Sequence, residues 1–394
     1  MNIRKIELLS IVIPFRFSYG HALATHRGVQ SVLCIMHDEN GNYGVGESVP
    51  RRYVTGESVE TVMDDAERII RMIFTGPRDP AAAAALLNAA VSGMRDPFPS
   101  CAVNCIDGAM VTLQAVQRGV PLYRLLGDSY STTLQYYGSV GIGSTLALLP
   151  KLLFYRFAGF RHFKVKVAGA DDIRRIGMIK KVLGNGVSLF ADANCAWDFK
   201  EAVEHAENLY DAGVWALEEP LKTSAGQVVA SGQVNREALL DAEHYRRYHA
   251  LKKEVPIPLI ADESLISPRS MRKIIDLDAF SIANIRLSKC GGTAVCGEMF
   301  SSAVAAGMSV GLGAMVGESP FLAALGSHFG AAHPGHRYIQ GHSHRVLHRI
   351  RICSGEPVLR HGGILQVPDT AGTGVVIDRT ALQRVTTSIR DIRP

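Results

Sequence analysis

His162-Phe163-Lys164-Val165-Lys166-Val167 alternates polar and apolar side chains over six residues. Successive side chains of an extended strand face opposite ways, so Lys164 and Lys166 share one face while Phe163, Val165 and Val167 share the other. A face with two ammonium groups looks into a cavity, not into an apolar core. Three further stretches follow: Leu189-Phe190-Ala191-Asp192-Ala193-Asn194, Ala216-Leu217-Glu218-Glu219-Pro220 and Leu259-Ile260-Ala261-Asp262-Glu263-Ser264. Each is a short apolar run that reaches an acid and then turns polar or meets a proline or serine. Such runs read as parallel strands buried on both faces, with the acid where the chain leaves the sheet.

Working outward, short apolar strands alternate with helices at 134–140, 162–167, 187–192, 214–218, 257–262, 279–286 and 309–312, with an eighth near 337–340. This pattern predicts an α/β chain whose main body, residues 131–350, is a (β/α)₈-type, TIM-like barrel with catalytic groups at the carboxyl ends of its strands. A doubly wound sheet fits less well, because its ligand sits at one switch point and not across four strand ends. Residues 1–130 read as extended segments at 3–15 and 29–37, a turn at 38–42, a strand at 43–48, and helices at 59–74, 80–94 and 102–118. The tail, 351–394, reads as irregular chain and strands returning to this first unit.

Length and charge narrow the function. With 394 residues, one large domain plus a smaller one is expected. The 42 basic and 37 acidic residues are spread along the chain, and the net charge of +5 leaves no electrostatic footprint for nucleic acid. No run approaches the ~18 apolar residues of a membrane span, and residues 1–7 open directly into an alternating strand with no export signal expected. Seven irregularly spaced cysteines do not form a disulfide framework, which points to a reducing, cytoplasmic compartment. The expected partner is a small molecule.

Three carboxylates at three strand ends suggest one divalent cation. A hard ion such as Mg²⁺ (or Mn²⁺) prefers oxygen ligands and keeps open positions for substrate oxygens, which suits Asp192, Glu218 and Asp262. The carbon next to a carboxylate is a very weak acid. Removing its proton needs a cation to stabilise the enediolate and a base held over the carbon. An ammonium becomes such a base when a like charge and a metal ion lie near it, and Lys164 stands beside Lys166.

The order Lys-x-Lys, Asp, Glu, Asp on successive strands resembles the enolase superfamily. The phrases Gly44-Val45-Gly46-Glu47, Tyr53-Val54-Thr55-Gly56-Glu57, Asp192-Ala193-Asn194, Glu218-Glu219-Pro220, Asp262-Glu263-Ser264 and Gly291-Gly292 are similar to its muconate lactonizing enzyme branch, the group that also includes mandelate racemase. The likeness runs through nearly the whole chain. It implies Asp192, Glu218 and Asp262 as metal ligands, Lys166 as the acid/base, Lys164 as its electrostatic companion, and an α+β cap built from the amino-terminal segment and the tail.

Two features depart from that branch. Its sixth strand normally ends in a second catalytic lysine, in the setting Asn-Ile-Lys, whereas here Asn284-Ile285 is followed by Arg286. A guanidinium stabilises an anion or holds a carboxylate but is a very poor base, so two-base racemisation is not expected. Lys289 is the alternative base, although its odd offset points it away from the barrel if the strand continues. The second departure is length: Glu218 and Asp262 lie 44 positions apart, against 26 between Asp192 and Glu218. The helix-forming stretch 236–254 in that extension would cover the mouth, contact another subunit, or form a surface extension.

The presumed cap loops carry Tyr19, His21, His26, Arg27, Arg51, Arg52 and Tyr53, suited to reading a second anionic group on the substrate. Glu318 falls near the seventh strand's mouth, where the resemblance implies an active-site acid. His333, His336, His342, His344 and His348 crowd one segment without a zinc spacing and read as a solvated loop. The leading expectation is a metal-dependent isomerase or lyase, muconate-cycloisomerase-like, that passes through an enediolate with Lys166 as its single acid/base. The alternatives are an amino-acid-derivative racemase or epimerase, an acid-sugar dehydratase, and a non-catalytic metal- and carboxylate-binding homologue. A homo-oligomer is plausible, but no residue pattern marks it.

Overall fold

The computed structural model describes residues 1–394 apart from 22–23, 77, 95–96, 170 and 223–239, with the backbone alone at 19–21, 24–25 and 145. β1 (Ile3–His21), β2 (Ala24–Asp38) and β3 (Tyr43–Ser48) form an antiparallel sheet, completed at the β1 edge by Thr386–Ile392 from the far end of the chain. Asp38 shapes the turn between β2 and β3. Its Oδ1 accepts the N–H groups of Asn40 and Asn42 at 2.9 Å each, the local bonding that favours aspartate in turns.

Alternation along β1 and β2 sends Ile6, Leu8, Val32, Cys34 and Met36 into a core against the helices Val59–Ile73 and Ser100–Arg118. A Cβ at Gly46 would come within 2.0 Å of the Cys105 carbonyl, so glycine lets that second helix lie directly on β3. The expected helices appear with shifted ends, as Val59–Ile73, Pro80–Ser92 and Ser100–Arg118. Ser58 and Thr61 form a capping box on the first, and the Asp79 carboxylate caps the second.

The expected strand at 134–140 divides in two. β4 (Thr133–Gln135) pairs with Ile364–Gln366, so that part of the tail lies beside the barrel and only Thr386–Ile392 joins the first sheet. β5 (Gly138–Val140) opens an eight-stranded parallel sheet that continues in chain order through β6 (His162–Lys166), β7 (Ser188–Asp192), β8 (Leu217–Glu218), β9 (Leu259–Ala261), β10 (Ile282–Ile285), β11 (Ser309–Leu312) and β12 (Tyr338–Ile339). A parallel bridge between Tyr136 and Ile339, with Tyr137 N–H donating to the Ile339 carbonyl at 2.9 Å, brings the two edges together into a barrel.

Outward side chains such as Phe163, Val165, Leu189, Leu217 and Leu259 pack under the surrounding helices. Inside, Phe190, Ala216, Ile260, Ile282 and Tyr338 fill the lower barrel, the Phe190 and Tyr338 rings lying 4.8 Å apart. The polar ends of the strands above this plug are left to line the mouth.

Two buried carboxylates dock the antiparallel unit on the barrel. Glu47 accepts the N–H groups of Ser319 and Leu322 at 3.0 and 3.1 Å at the start of helix Pro320–Ala332. Asp107 accepts the Thr293 N–H at 2.5 Å and its hydroxyl at 2.8 Å at the start of helix Gly292–Ala305. An acid at a helix N-terminus satisfies orphan donors and interacts favourably with the helix dipole. No described helix is long and apolar enough to cross a membrane.

Candidate active site

Parallel register sets the polar residues side by side. Lys166 on β6 lies opposite Asp192 on β7, and Asp192 opposite Glu218 on β8. Glu218 lies opposite Ile260, which places Asp262 one pleat further on the same inward face. Lys164 Nζ is 2.6 Å from Glu218 Oε1 and 2.8 Å from Asp192 Oδ2, and Lys166 Nζ is 3.0 Å from the same Asp192 oxygen and bonds the Asn194 side-chain carbonyl. All five ionic groups are buried.

Arg286 enters from across the barrel. It continues the pleat of β10 in extended conformation, and its guanidinium pairs with Asp262 and lies 3.8 Å from Glu218 Oε1. A Cβ at Gly313 would fall 2.5 Å from Asn284 Oδ1 and 2.8 Å from Arg286 Cγ, so the neighbouring strand leaves room for this side chain by carrying none. Glu218 therefore stands between an ammonium from β6 and a guanidinium from β10.

Burial and charge pairing compete over the protonation of these acids. Burial raises the Asp192 carboxyl, but Lys164 and Lys166 overcome it and hold Asp192 well below the usual carboxylate range. Burial dominates at Glu218 and pushes it up to about 7, against the pull of Lys164. Burial also opposes the charge on Lys164, yet Asp192 and Glu218 raise its ammonium above the ordinary lysine value.

Lys289 does not face the mouth. β10 has ended, and from the helical turn Leu287–Cys290 the Lys289 ammonium donates to Asp262 Oδ1 at 2.7 Å, to the Asp262 carbonyl at 2.6 Å and to the Asn284 carbonyl at 3.1 Å. Three donors meet three acceptors on a fully buried side chain, and burial lowers the Lys289 ammonium to about 8.

The cap residues assemble partly. His26 and Tyr53 are 3.1 Å apart, and Arg51 donates to the Val316 carbonyl at 3.3 Å, on the loop that also carries Glu318. Glu318 and Arg286 line one small cavity together with Tyr136, Met315 and Gln340. Burial, then the nearby Glu47 carboxylate, raises the Glu318 carboxyl well above its ordinary value. Arg27 and Arg52 point into solvent, and the side chains of Tyr19 and His21 lie outside the described residues.

Residues 153–381 match the family model of the enolase C-terminal domain-like proteins. The chain belongs to that family. Within the enolase superfamily it falls in the branch of muconate lactonizing enzymes and mandelate racemase, and it is an isomerase or lyase of that superfamily. It is 26% identical to the D-Ala-D/L-Ala epimerase of Cytophaga hutchinsonii over 95% of both chains. It is 25% identical to muconate cycloisomerase 1 of Rhodococcus opacus over 97% of this chain and 98% of that one. The structure of the Cytophaga hutchinsonii dipeptide epimerase complexed with Mg and the dipeptide D-Ala-L-Val superimposes over 100% of both chains with a TM-score of 0.82 at 24% identity.

The donor set of this enolase-superfamily site fits a hard cation. Carboxylate oxygens of Glu218, Asp262 and Glu263 lie within 4.8 Å of one another, and Glu218 Oε2 is buried without a hydrogen-bond partner. The sequence reading did not single out Glu263, Asn194 or Glu219 for the site. Asn194 bridges Lys166 to Glu263 Oε1, its Nδ2 at 3.1 Å, and Glu219 accepts the Asp262 N–H at 2.6 Å. The signal was adjacency, since each lies one or two positions beyond a strand-end acid. Strand parity fails there, because Asn194 and Glu219 adopt positive φ of 46° and 43°.

The histidine segment corrects an expectation. His342, His344 and His348 are buried, not solvated. His342 Nε2 is 2.9 Å from the Ser327 hydroxyl, His344 faces Glu356, and His348 stacks on Phe15 of β1. The cap strand and the tail cover a loop that composition alone assigned to solvent.

Proposed function

We propose that this enzyme forms an enediolate at the α-carbon of a carboxylate substrate by proton transfer at Lys166 alone. The observation that carries this reading is the asymmetry of the mouth. Lys164 on β6, with Lys166 beside it, and Arg286 at the end of β10 come from different strands toward Glu218 Oε1, and the β10 partner is a guanidinium, which holds anions but does not take up protons. Glu218, Asp262 and Glu263, the acids whose oxygens cluster, with Asp192 on the strand next to Glu218, would hold Mg²⁺ or Mn²⁺, which when bound stabilises the negative charge of the enediolate. Lys166 then moves the proton on one face of the substrate, Lys164 keeps the carboxylates beside it in place, and Arg286 orients the substrate or steadies its charge. Arg51, His26 and Tyr53 approach from the cap, where they suit a second polar or anionic group. A small-molecule carboxylate, either a diacid or an acylated amino acid, is the substrate class that follows.

A second reading, epimerisation or racemisation of an amino-acid derivative such as a dipeptide, is favoured by the curated epimerases among the relatives. The two readings separate on stereochemistry. Incubation in D₂O with Mg²⁺ and a pool of diacids, N-acylated amino acids and dipeptides, read by mass spectrometry, should give α-deuterium from one enantiomer only. Exchange from both enantiomers moves the assignment to the epimerase, and exchange that persists in Lys166→Ala removes Lys166 as the base.

A further inference from the structure

The long connection between Glu218 and Asp262 ends in the helix Ala242–Glu254, and that helix reaches the back of the metal-ligand loops. Asp241 caps its start by accepting the His244 N–H at 2.8 Å, which fixes His244 in the first turn. His244 Nε2 then lies 2.8 Å from the Ser264 hydroxyl, the Tyr245 hydroxyl donates to the Ser264 carbonyl at 2.8 Å, and the Tyr248 hydroxyl donates to Glu219 Oε2 at 2.8 Å.

Glu219 gathers these contacts. Its Oε1 accepts the N–H groups of Asp262 and Ser264 at 2.6 and 2.7 Å, and its Oε2 accepts the Ser264 hydroxyl at 2.9 Å besides that of Tyr248. The one hydroxyl proton of Ser264 is thus spent on Glu219, so His244 must be the donor in its contact with Ser264. Glu219 itself sits at φ +43°, a conformation that disfavours a side chain and persists only where its surroundings impose it. It follows Glu218 directly, and its carboxylate grips the backbone of Asp262. One buried acid therefore links two proposed ligands, and the helix holds that acid.

We infer that His244 and Tyr248 are positioning residues that set the geometry of Glu218 and Asp262 for the divalent cation, through Ser264 and Glu219. The inference rests on the proposed metal site. Groups of this kind, one shell behind the ligands, commonly change metal affinity about 10- to 100-fold when removed. The reading to be beaten is ordinary packing, in which these polar groups are bonded only because they are buried.

Mn²⁺ titration of the chelator-stripped full chain, following free Mn²⁺ by electron paramagnetic resonance, separates the two. Tyr248→Phe and His244→Ala are expected to raise the Mn²⁺ dissociation constant about tenfold or more. His244→Gln, whose amide can still donate to Ser264, should recover part of the loss. Tyr123→Phe, which removes a hydroxyl bonded to Asp369 at 2.7 Å far from the mouth, should leave Mn²⁺ binding unchanged. Near-ultraviolet circular dichroism keeps the comparison to folded protein, and Tyr248→Phe changes only one oxygen atom. If Asp262→Asn weakens Mn²⁺ binding while Tyr248→Phe and His244→Ala do not, the inference is overturned and the metal site stands. If Asp262→Asn also leaves binding unchanged, the metal assignment itself falls and takes the inference with it.

Discussion

The ammonium of Lys289 stands 2.7 Å from Asp262 Oδ1, while Arg286 pairs with the other oxygen of that carboxylate. With all three donors used, we propose that Lys289 acts as a buried counter-charge and not as a second base. Lys289→Met should therefore lower stability by about 3 kcal/mol in urea unfolding, the usual cost of stripping one partner from a buried ion pair. The stereochemical course of proton exchange should not change. Loss of exchange from one enantiomer alone would restore Lys289 as a base.

Lys166 meets Asp192 and Asn194, and no other described lysine besides Lys164 shares that side of the mouth. Lys166→Ala should cut α-proton exchange by about 10³-fold, within the range of a lost general acid/base, while circular dichroism is unchanged. Lys166→Arg should be equally inactive, since a guanidinium retains its proton. An active arginine variant would mean that charge, not proton transfer, is what position 166 supplies.

Much of this site was legible because parallel strands leave plain marks. Lys164 and Lys166 show their shared face by parity, and Asp192, Glu218 and Asp262 each stop an apolar run at the place where the barrel opens. Legibility fails one residue later. Glu219 and Asn194 sit where left-handed backbone breaks the period of two, and Glu263 follows the end of β9, so their direction is set by neighbours and not by spacing. His244 lies 20 positions from Ser264, and nothing local in the sequence announces their contact. The histidine loop misleads for the opposite reason. Its composition is that of a solvated segment, but Phe15, distant in sequence, and Glu356, 12 positions beyond His344, bury it.

Arg286 occupies space that Gly313 leaves open, and a lysine would fit the same channel. Arg286→Lys is expected to add slow exchange from the opposite enantiomer, because an amine can release and accept a proton where a guanidinium cannot. Solvent deuterium uptake by each enantiomer checks it. A variant that stays one-faced would show that the substrate does not present its α-carbon to position 286.

Gly313→Ala should disturb the same side chain without touching the lysines. The added Cβ meets Asn284 Oδ1 at 2.5 Å and Arg286 Cγ at 2.8 Å, so Arg286 must move. Overpacking of this kind costs about 1–3 kcal/mol, and turnover should fall further than stability does. Equal activity in wild type and variant would show that the position of Arg286 does not matter to the reaction.

Glu57 supplies a pH test outside the set of metal-ligand acids. Its buried carboxylate accepts the Cys101 N–H at 3.0 Å and the Ser100 hydroxyl at 3.0 Å at the start of helix Ser100–Arg118, yet burial outweighs these donors and pushes it up to about 7 from an ordinary 4.5. The folded state therefore holds a proton between pH 4.5 and 7 that the unfolded state has released. The stabilisation from that proton is complete below pH 4.5 and is lost as the pH rises through 7. Glu57→Gln, which stays neutral, removes this dependence. Relative to wild type it should gain about 3 kcal/mol between pH 4.5 and pH 8, read from urea unfolding at both ends of the window. Parallel pH profiles for the two proteins would mean that Glu57 is ionised throughout, held by its donors in spite of its burial.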